Sequence, residues 1–191
     1  MILPIVRYGH PVLRQKGVRI PEITPEIRTL IADMLETMHS AAGVGLAAHQ
    51  VAQPIQLAVF DVREVQDRPS TLEIGGRAVN PADHMPMVLI NPDFKPAGAS
   101  VEAAEGCLSF PEIFADIVRP ESIEVRALDG QGKPIDFRCG GLLARAIQHE
   151  HDHLHGILYI DRMSTETKKR LKPELDALQA ATKAELRKAA A

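Results

Sequence analysis

The stretch from Ala146 to Gly156, AIQHEHDHLHG, sets four histidines at alternate positions with two carboxylates among them, directly after the run GGLLARAI. Any fold of this chain must find a place for those imidazoles. Leu142, Leu143, Ala146 and Ile147 recur at helical spacing, which predicts a helix with one face in the core. Each helical step turns about 100°, so His149 and His153 project about 40° apart and are able to grip one ion. His151 points about 200° from His149, and His155 lies well off the midline of that face. Both are expected to face solvent or a neighbouring loop. Glu150 sits on the flank of the metal face, within reach of water held there, where a general acid/base belongs. The pattern is H-E-x-x-H, as metal-dependent hydrolases use it. A bare match also arises by chance on polar helix faces, but here the helix carrying it is half apolar.

Two imidazoles are one ligand short, because a hydrolytic site typically has three protein ligands and one open position. The extended pattern H-E-x-x-H-x-x-G-x-x-H needs a last histidine; Gly156 is in place, but that final position is Tyr159. Glu174, on a later helix, is a second candidate, although KKRLKPELDALQAATKAELRK reads more plainly as a solvated face. The two cysteines do not form a disulfide framework and read as reduced thiols. Cys139, in FRCGGLL, has the character of a small buried hydrophobe. Cys107, in the polar, glycine-containing EAAEGCLSFPE, is the favoured third ligand.

Three segments now combine. EGCLS (Glu105 to Ser109), QHEHDHLHG (Gln148 to Gly156) and GVGLAAHQ (Gly43 to Gln50) are similar to the three signature motifs of the peptide deformylase family, in that family's order and at comparable spacing. The resemblance runs from RYGHPVLRQKG at Arg7 to GILYIDRMS ending at Ser164. It implies a metal-dependent hydrolase that removes the N-formyl group from the N-terminal methionine of new proteins and releases formate. It implies Cys107, His149 and His153 as metal ligands and Glu150 as the proton carrier. The side-chain amide of Gln50 and the backbone N–H of Leu108 then stabilise charge on the formyl oxygen. The implied metal is one Fe2+ per chain, with Zn2+, Ni2+ or Co2+ as substitutes.

The family's methionine pocket falls here on Val44, Leu142, Ala146 and the aliphatic stem of Arg145. Gly43 and Gly45 let a substrate backbone approach and pair with a strand edge, and Glu105 is expected to pair with Arg119 and brace the cysteine segment. His49 and His151 stand at positions variable in the family, and Phe114 stands where some members carry an arginine that contacts the substrate backbone. The competing reading is a zinc endopeptidase with His149, His153 and Glu174 as ligands.

The 191 residues, 45% hydrophobic, suit one core. Residues 1–164 are read as the catalytic domain and residues 165–191 as a charged C-terminal helix, part of it or appended to it. A net charge of −3 offers no reason to expect nucleic acid or a membrane surface as the main partner. No apolar run approaches the roughly 20 residues of a membrane span, and MILPIVRYGH lacks a signal-peptide pattern. A cytoplasmic protein is expected. The resemblance also raises ribosome docking through the basic cluster Lys168, Lys169 and Arg170.

TPEIRTLIADMLETMHSAAG predicts a first helix, capped by Thr24, opened by Pro25 and stopped by Gly43, with an apolar stripe of Ile27, Leu30, Ile31, Met34, Leu35 and Met38. IQLAVFDV, MVLINPDF, SIEVRAL and KPIDFRC read as strands, the last two joined by the hairpin signal DGQG. Together these give an α+β fold, antiparallel strands packed around a central metal-carrying helix, with an N-terminal and a C-terminal helix. The connection from Arg63 to Pro86 is long for a loop, and its TLEIGGRAV is read as a small hairpin turning at Gly75 and Gly76.

Overall fold

The computed structural model describes residues 1–189. The first helix, α1 (Pro25–Ser40), begins as its sequence predicts: Thr24 Oγ1 accepts from the Ile27 N–H and Pro25 occupies the first turn. At its end the Gly43 N–H donates back to the Met38 carbonyl (2.9 Å). Ile31, Met34 and Met38 are buried against β1 (Gly45–Ala47) and β2 (Leu57–Phe60). Each fully buried apolar side chain of this kind contributes about 1.5–3 kcal/mol.

The remaining strands are β3 (Ser70–Ile74), β4 (Arg77–Val79), β5 (Met87–Cys107), β6 (Phe110–Leu128) and β7 (Pro134–Gly140). They form one antiparallel sheet in the order β1-β2-β5-β6-β7-β3-β4, which leaves β1 on an edge. Against it lies α2 (Gly141–Leu154), with 12 buried residues along its 14-residue length. Leu143, Ala144 and Ile147 share a core cluster with Phe60, Leu89, Ile123 and Val125.

The sequence reading expected MVLINPDF and SIEVRAL as short strands. They are instead the outer ends of a long hairpin that runs out to Cys107 and returns from Phe110, closed by the two residues Leu108 and Ser109. The returning strand alternates as a half-buried strand should: Ile113, Ala115, Ile117 and Arg119 point inward, Glu112, Phe114, Asp116 and Val118 outward. Shifts of register between Ile90/Asp93, Ala97/Ser100 and Glu105/Cys107 interrupt the ladder. Such irregularities, with Pro96, Gly98 and Gly106, hide a long strand from pattern reading.

The segment Arg63 to Pro86 is largely sheet rather than loop. β3 and β4 turn at Gly75 and Gly76, both at positive φ, and β3 pairs with β7. The C-terminal helix also departs from expectation, being two helices, α3 (Thr165–Arg170) and α4 (Lys172–Ala189), that meet at Leu171. Pro173 has no N–H to give the Lys169 carbonyl, so one helical bond is lost there. Leu171 and Leu175 are buried with Phe110, Ile117 and Tyr159.

Candidate metal centre

Two partners hold the N-terminus of α2. Gly140 offers no capping side chain, and the orphan amides of the first turn are met from the chain entering β3: the Leu142 N–H donates to the Pro69 carbonyl (3.2 Å) and the Leu143 N–H to Ser70 Oγ (3.0 Å). Gly141 has a φ of +66°, and any side chain there would collide with the Pro69 carbonyl.

From about two turns further on, His149 and His153 stack edge-on with ring centroids 5.1 Å apart. Nδ1 of His149 bonds Glu105 Oε2 (2.9 Å), and Nε2 of His153 lies 3.3 Å from Cys107 Sγ. Cys107 ends β5, so the tight turn after it presents the thiol to the helix. The ligand atoms of Cys107, His149 and His153 all lie within 4.8 Å of one another, the only such group found among the described residues.

Glu105 is the hub behind this group. Its carboxylate accepts from Arg119 at 2.5 and 2.9 Å and from Arg145 at 2.9 Å, besides His149. Burial would raise its carboxyl, but the hydrogen bonds from His149 and Arg119 prevail and hold it at about 2. Arg119 spans on to Asp152 (2.9 Å), which in turn accepts twice from Arg162. The Glu105–Arg119 pair was legible in the sequence; Asp152, Arg162 and the guanidinium of Arg145 were not, because nothing in local spacing marks them.

Glu150 is buried, with Oε1 against Gly45 and Oε2 without a hydrogen-bond partner among the described residues. Burial pushes its carboxyl up to about 7. A Cβ on Gly45 would come within 2.8 Å of Glu150 Oε1, and one on Gly43 within 2.8 Å of Leu108 Cδ1. The protein's own side chains therefore already require these glycines, apart from any substrate. Gln50 is oriented by its oxygen, which accepts from the Ala47 N–H (2.9 Å); its NH2 then points at Cys107 Sγ (3.5 Å) and Ser109 Oγ (3.4 Å).

A cavity of about 460 Å³ opens over the group, within the usual range for a small-ligand site. Gly43, Val44, Gly45, Leu142, Arg145 and Ala146 line it beside Cys107, Leu108, His149 and Glu150, as do Arg68, Glu112 and Phe114. Val44 is fixed from behind by Asp61, whose N–H donates to the Val44 carbonyl (3.0 Å) while its carboxylate takes two bonds from the Arg63 side chain and pairs with His39 Nε2 (2.9 Å).

The other candidates lie elsewhere. Glu174 is exposed on α4, outside the donor group. Cys139 is buried in the core and its thiol is pushed up to about 12 by that burial. Tyr159 uses its hydroxyl on the Ile113 carbonyl (2.8 Å). His151 is half-buried rather than free in solvent: it packs edge-on against Phe94 of β5 and tilted on His155, and burial lowers it to about 4. Nδ1 of His155 closes back on the His151 carbonyl (2.8 Å). His49 is buried beside Gly17 and kept neutral by that burial, at about 4.

Residues 2–169 match the family model described as polypeptide deformylase. The peptide deformylase of Methylacidiphilum infernorum is 45% identical over 179 residues, covering 94% of this chain and 94% of its own. That of Opitutus terrae is 44% identical over 187 residues, covering 96% of each. Among solved structures, a peptide deformylase from Synechococcus elongatus in complex with actinonin superposes with a TM-score of 0.74 at 38% identity, covering 94% of this chain and 85% of that one.

Proposed function

Since the chain belongs to the peptide deformylase family, we propose that Cys107, His149 and His153 hold the metal of a deformylase active site and that Glu150 moves its protons. The protein is a metal-dependent hydrolase of protein biosynthesis that removes N-formyl groups from N-formylmethionyl peptides. The observation that carries the site is the convergence of one thiol and two imidazoles within 4.8 Å, beside a buried carboxylate oxygen with no partner among the described residues. One sulfur and two nitrogen donors suit a transition-metal ion and leave a position open for chemistry. The endopeptidase alternative is not supported, since its ligand Glu174 is exposed and is not among the donors that converge.

A divalent ion bound by Cys107, His149 and His153 would acidify a water and polarise the formyl carbonyl. Glu150 Oε2 accepts the proton of the attacking water and returns it to the departing amine, a task suited to a carboxyl raised toward neutrality. The Gln50 NH2 and the Leu108 N–H donate to the formyl oxygen as charge builds on it. Edge strand β1 offers free backbone beside Gly43, Val44 and Gly45 for an extended peptide. Val44, Leu142, Ala146 and the Arg145 stem enclose the methionine side chain. Formate and a free N-terminal amine leave.

The working metal in this reading is Fe2+, with Zn2+, Ni2+ or Co2+ as substitutes. Residues 165–191 complete the catalytic domain, supported by the burial of Leu171 and Leu175 in its core. The enzyme works in the cytoplasm; among the described residues no helix is long and apolar enough to cross a membrane. Lys168, Lys169 and Arg170, all exposed on α3, dock it at the ribosome, and reversing their charge abolishes co-sedimentation if they do. The deciding experiment is formate release from formyl-Met-Ala-Ser with and without chelator. Turnover that chelator stops and Fe2+ restores is expected; no formate from the metal-loaded protein would overturn the proposal.

A further inference from the structure

Resting on the deformylase reading, we propose that Arg68 grips the substrate beyond its methionine, donating from its guanidinium to the backbone carbonyls of the second and third residues. Arg68 lines the cavity over Cys107, His149 and His153. It is one of two arginines there, and the other is turned to the protein: both Nη atoms of Arg145 are bonded, to Glu105 and to the carbonyls of Ile117 and Val101. Arg68 makes no hydrogen bond or ion pair among the described residues. A half-buried guanidinium with five unengaged donors beside a peptide-sized cavity has capacity for carbonyl acceptors.

Its position is not that of a free loop residue. Pro69 and Ser70, the next two residues, meet the Leu142 and Leu143 amides at the start of α2. Arg68 is thereby registered to the same helix that carries His149, Glu150 and His153. The wall formed by Phe110, Pro111 and Phe114 contributes no side-chain donor, and Phe114 lies 65% exposed with its ring across Gly106. A peptide running out of the site along that apolar wall finds its side-chain donor in Arg68.

The test compares Arg68→Ala and Arg68→Lys with wild type, at equal metal occupancy, on formyl-Met-Ala-Ser as its amide and as its free acid, and on formyl-Met methylamide, which lacks the carbonyls of a second and third residue. Arg68→Ala is expected to raise KM for the longer substrate about tenfold with kcat nearly constant, the scale of one hydrogen bond from a charged donor. The methylamide should change less than twofold, and Arg68→Lys, a point charge without the planar fork, should recover only part of the loss. Equal effects on both substrates, or none on the longer one, would overturn the proposal. So would an effect seen only with the free-acid peptide, which would mark simple attraction to a terminal carboxylate. Wild-type protein that releases formate from neither substrate would instead remove the deformylase reading itself.

Discussion

Glu105 Oε2 lies 2.9 Å from Nδ1 of His149, and this bond decides which ring nitrogen faces Cys107. A proton held on Nδ1 by the carboxylate leaves the Nε2 lone pair for a metal. The same carboxylate pairs with Arg119 and Arg145, so one side chain both orients His149 and, with Asp152 on the far side of Arg119, offsets the charge of buried cations.

Replacing that carboxylate should therefore be felt twice. Glu105→Gln is expected to weaken metal binding by about 10- to 100-fold, measured by competition with a chromogenic chelator. Glu105→Ala, which also takes the shared carboxylate from two buried arginines and leaves Arg145 with carbonyl partners alone, should cost about 3–5 kcal/mol in thermal unfolding. Unchanged metal affinity in Glu105→Gln would refute the orienting role.

Glu150→Gln keeps the shape and removes the proton carrier. Metal content should hold while kcat falls by about 10²- to 10⁴-fold, the range of general acid/base catalysis. Near-normal turnover with a full complement of metal would exclude Glu150 from proton transfer.

The histidine ladder divides by face. His149→Ala or His153→Ala should empty the site, whereas His151→Ala and His155→Ala should leave metal content unchanged. Because His151 packs on Phe94, its removal should still lower stability by about 0.5–1.5 kcal/mol. Metal loss in His151→Ala would show the helical phasing to be wrong.

Asp61 makes stability pH-dependent away from the metal. The Arg63 hydrogen bond, opposed by burial and helped by His39, lowers its carboxyl from 3.8 to about 2. A depressed carboxylate contributes stability that is complete above the unfolded value and disappears as pH falls through the folded one. The margin in Tm of wild type over Asp61→Asn should thus be constant near neutrality and shrink as pH drops from about 4 to about 2. A margin that stays level to pH 2 would contradict this.

Metal identity is tested by turnover at matched occupancy. Affinity favours Zn2+ over Fe2+ for the same donors, but Fe2+ expands its coordination more readily. Protein loaded anaerobically with Fe2+ should act on formyl-Met peptides much faster than the zinc form and should lose activity first to peroxide. Equal or higher zinc turnover would remove iron and leave the three ligands standing.

Much of the architecture follows from interactions within a few residues of chain. Thr24 caps α1 and Gly75–Gly76 turns the β3–β4 hairpin because these are near-neighbour effects. The phasing of His149 against His153 is likewise set by the helical repeat, so one sequence suffices to assign it. Cys107 was legible too, but by the composition of its segment and by family likeness, since no local rule links it to a histidine 46 residues away.

Tertiary structure alone decided the rest. The length of the β5–β6 hairpin lies behind three irregularities of register, and the single tail helix of the sequence reading became two at Pro173. The bond from Glu105 to His149 spans 44 positions and that from Arg119 to Asp152 spans 33. Arg68 reaches the cavity because Pro69 and Ser70 satisfy amides of a helix more than seventy residues downstream. The sequence determined which chemical groups this protein possesses and how each local turn is phased. Which of them meet depends on the burial of charge, for a carboxylate or guanidinium taken from water must find its partner wherever in the chain the fold provides one.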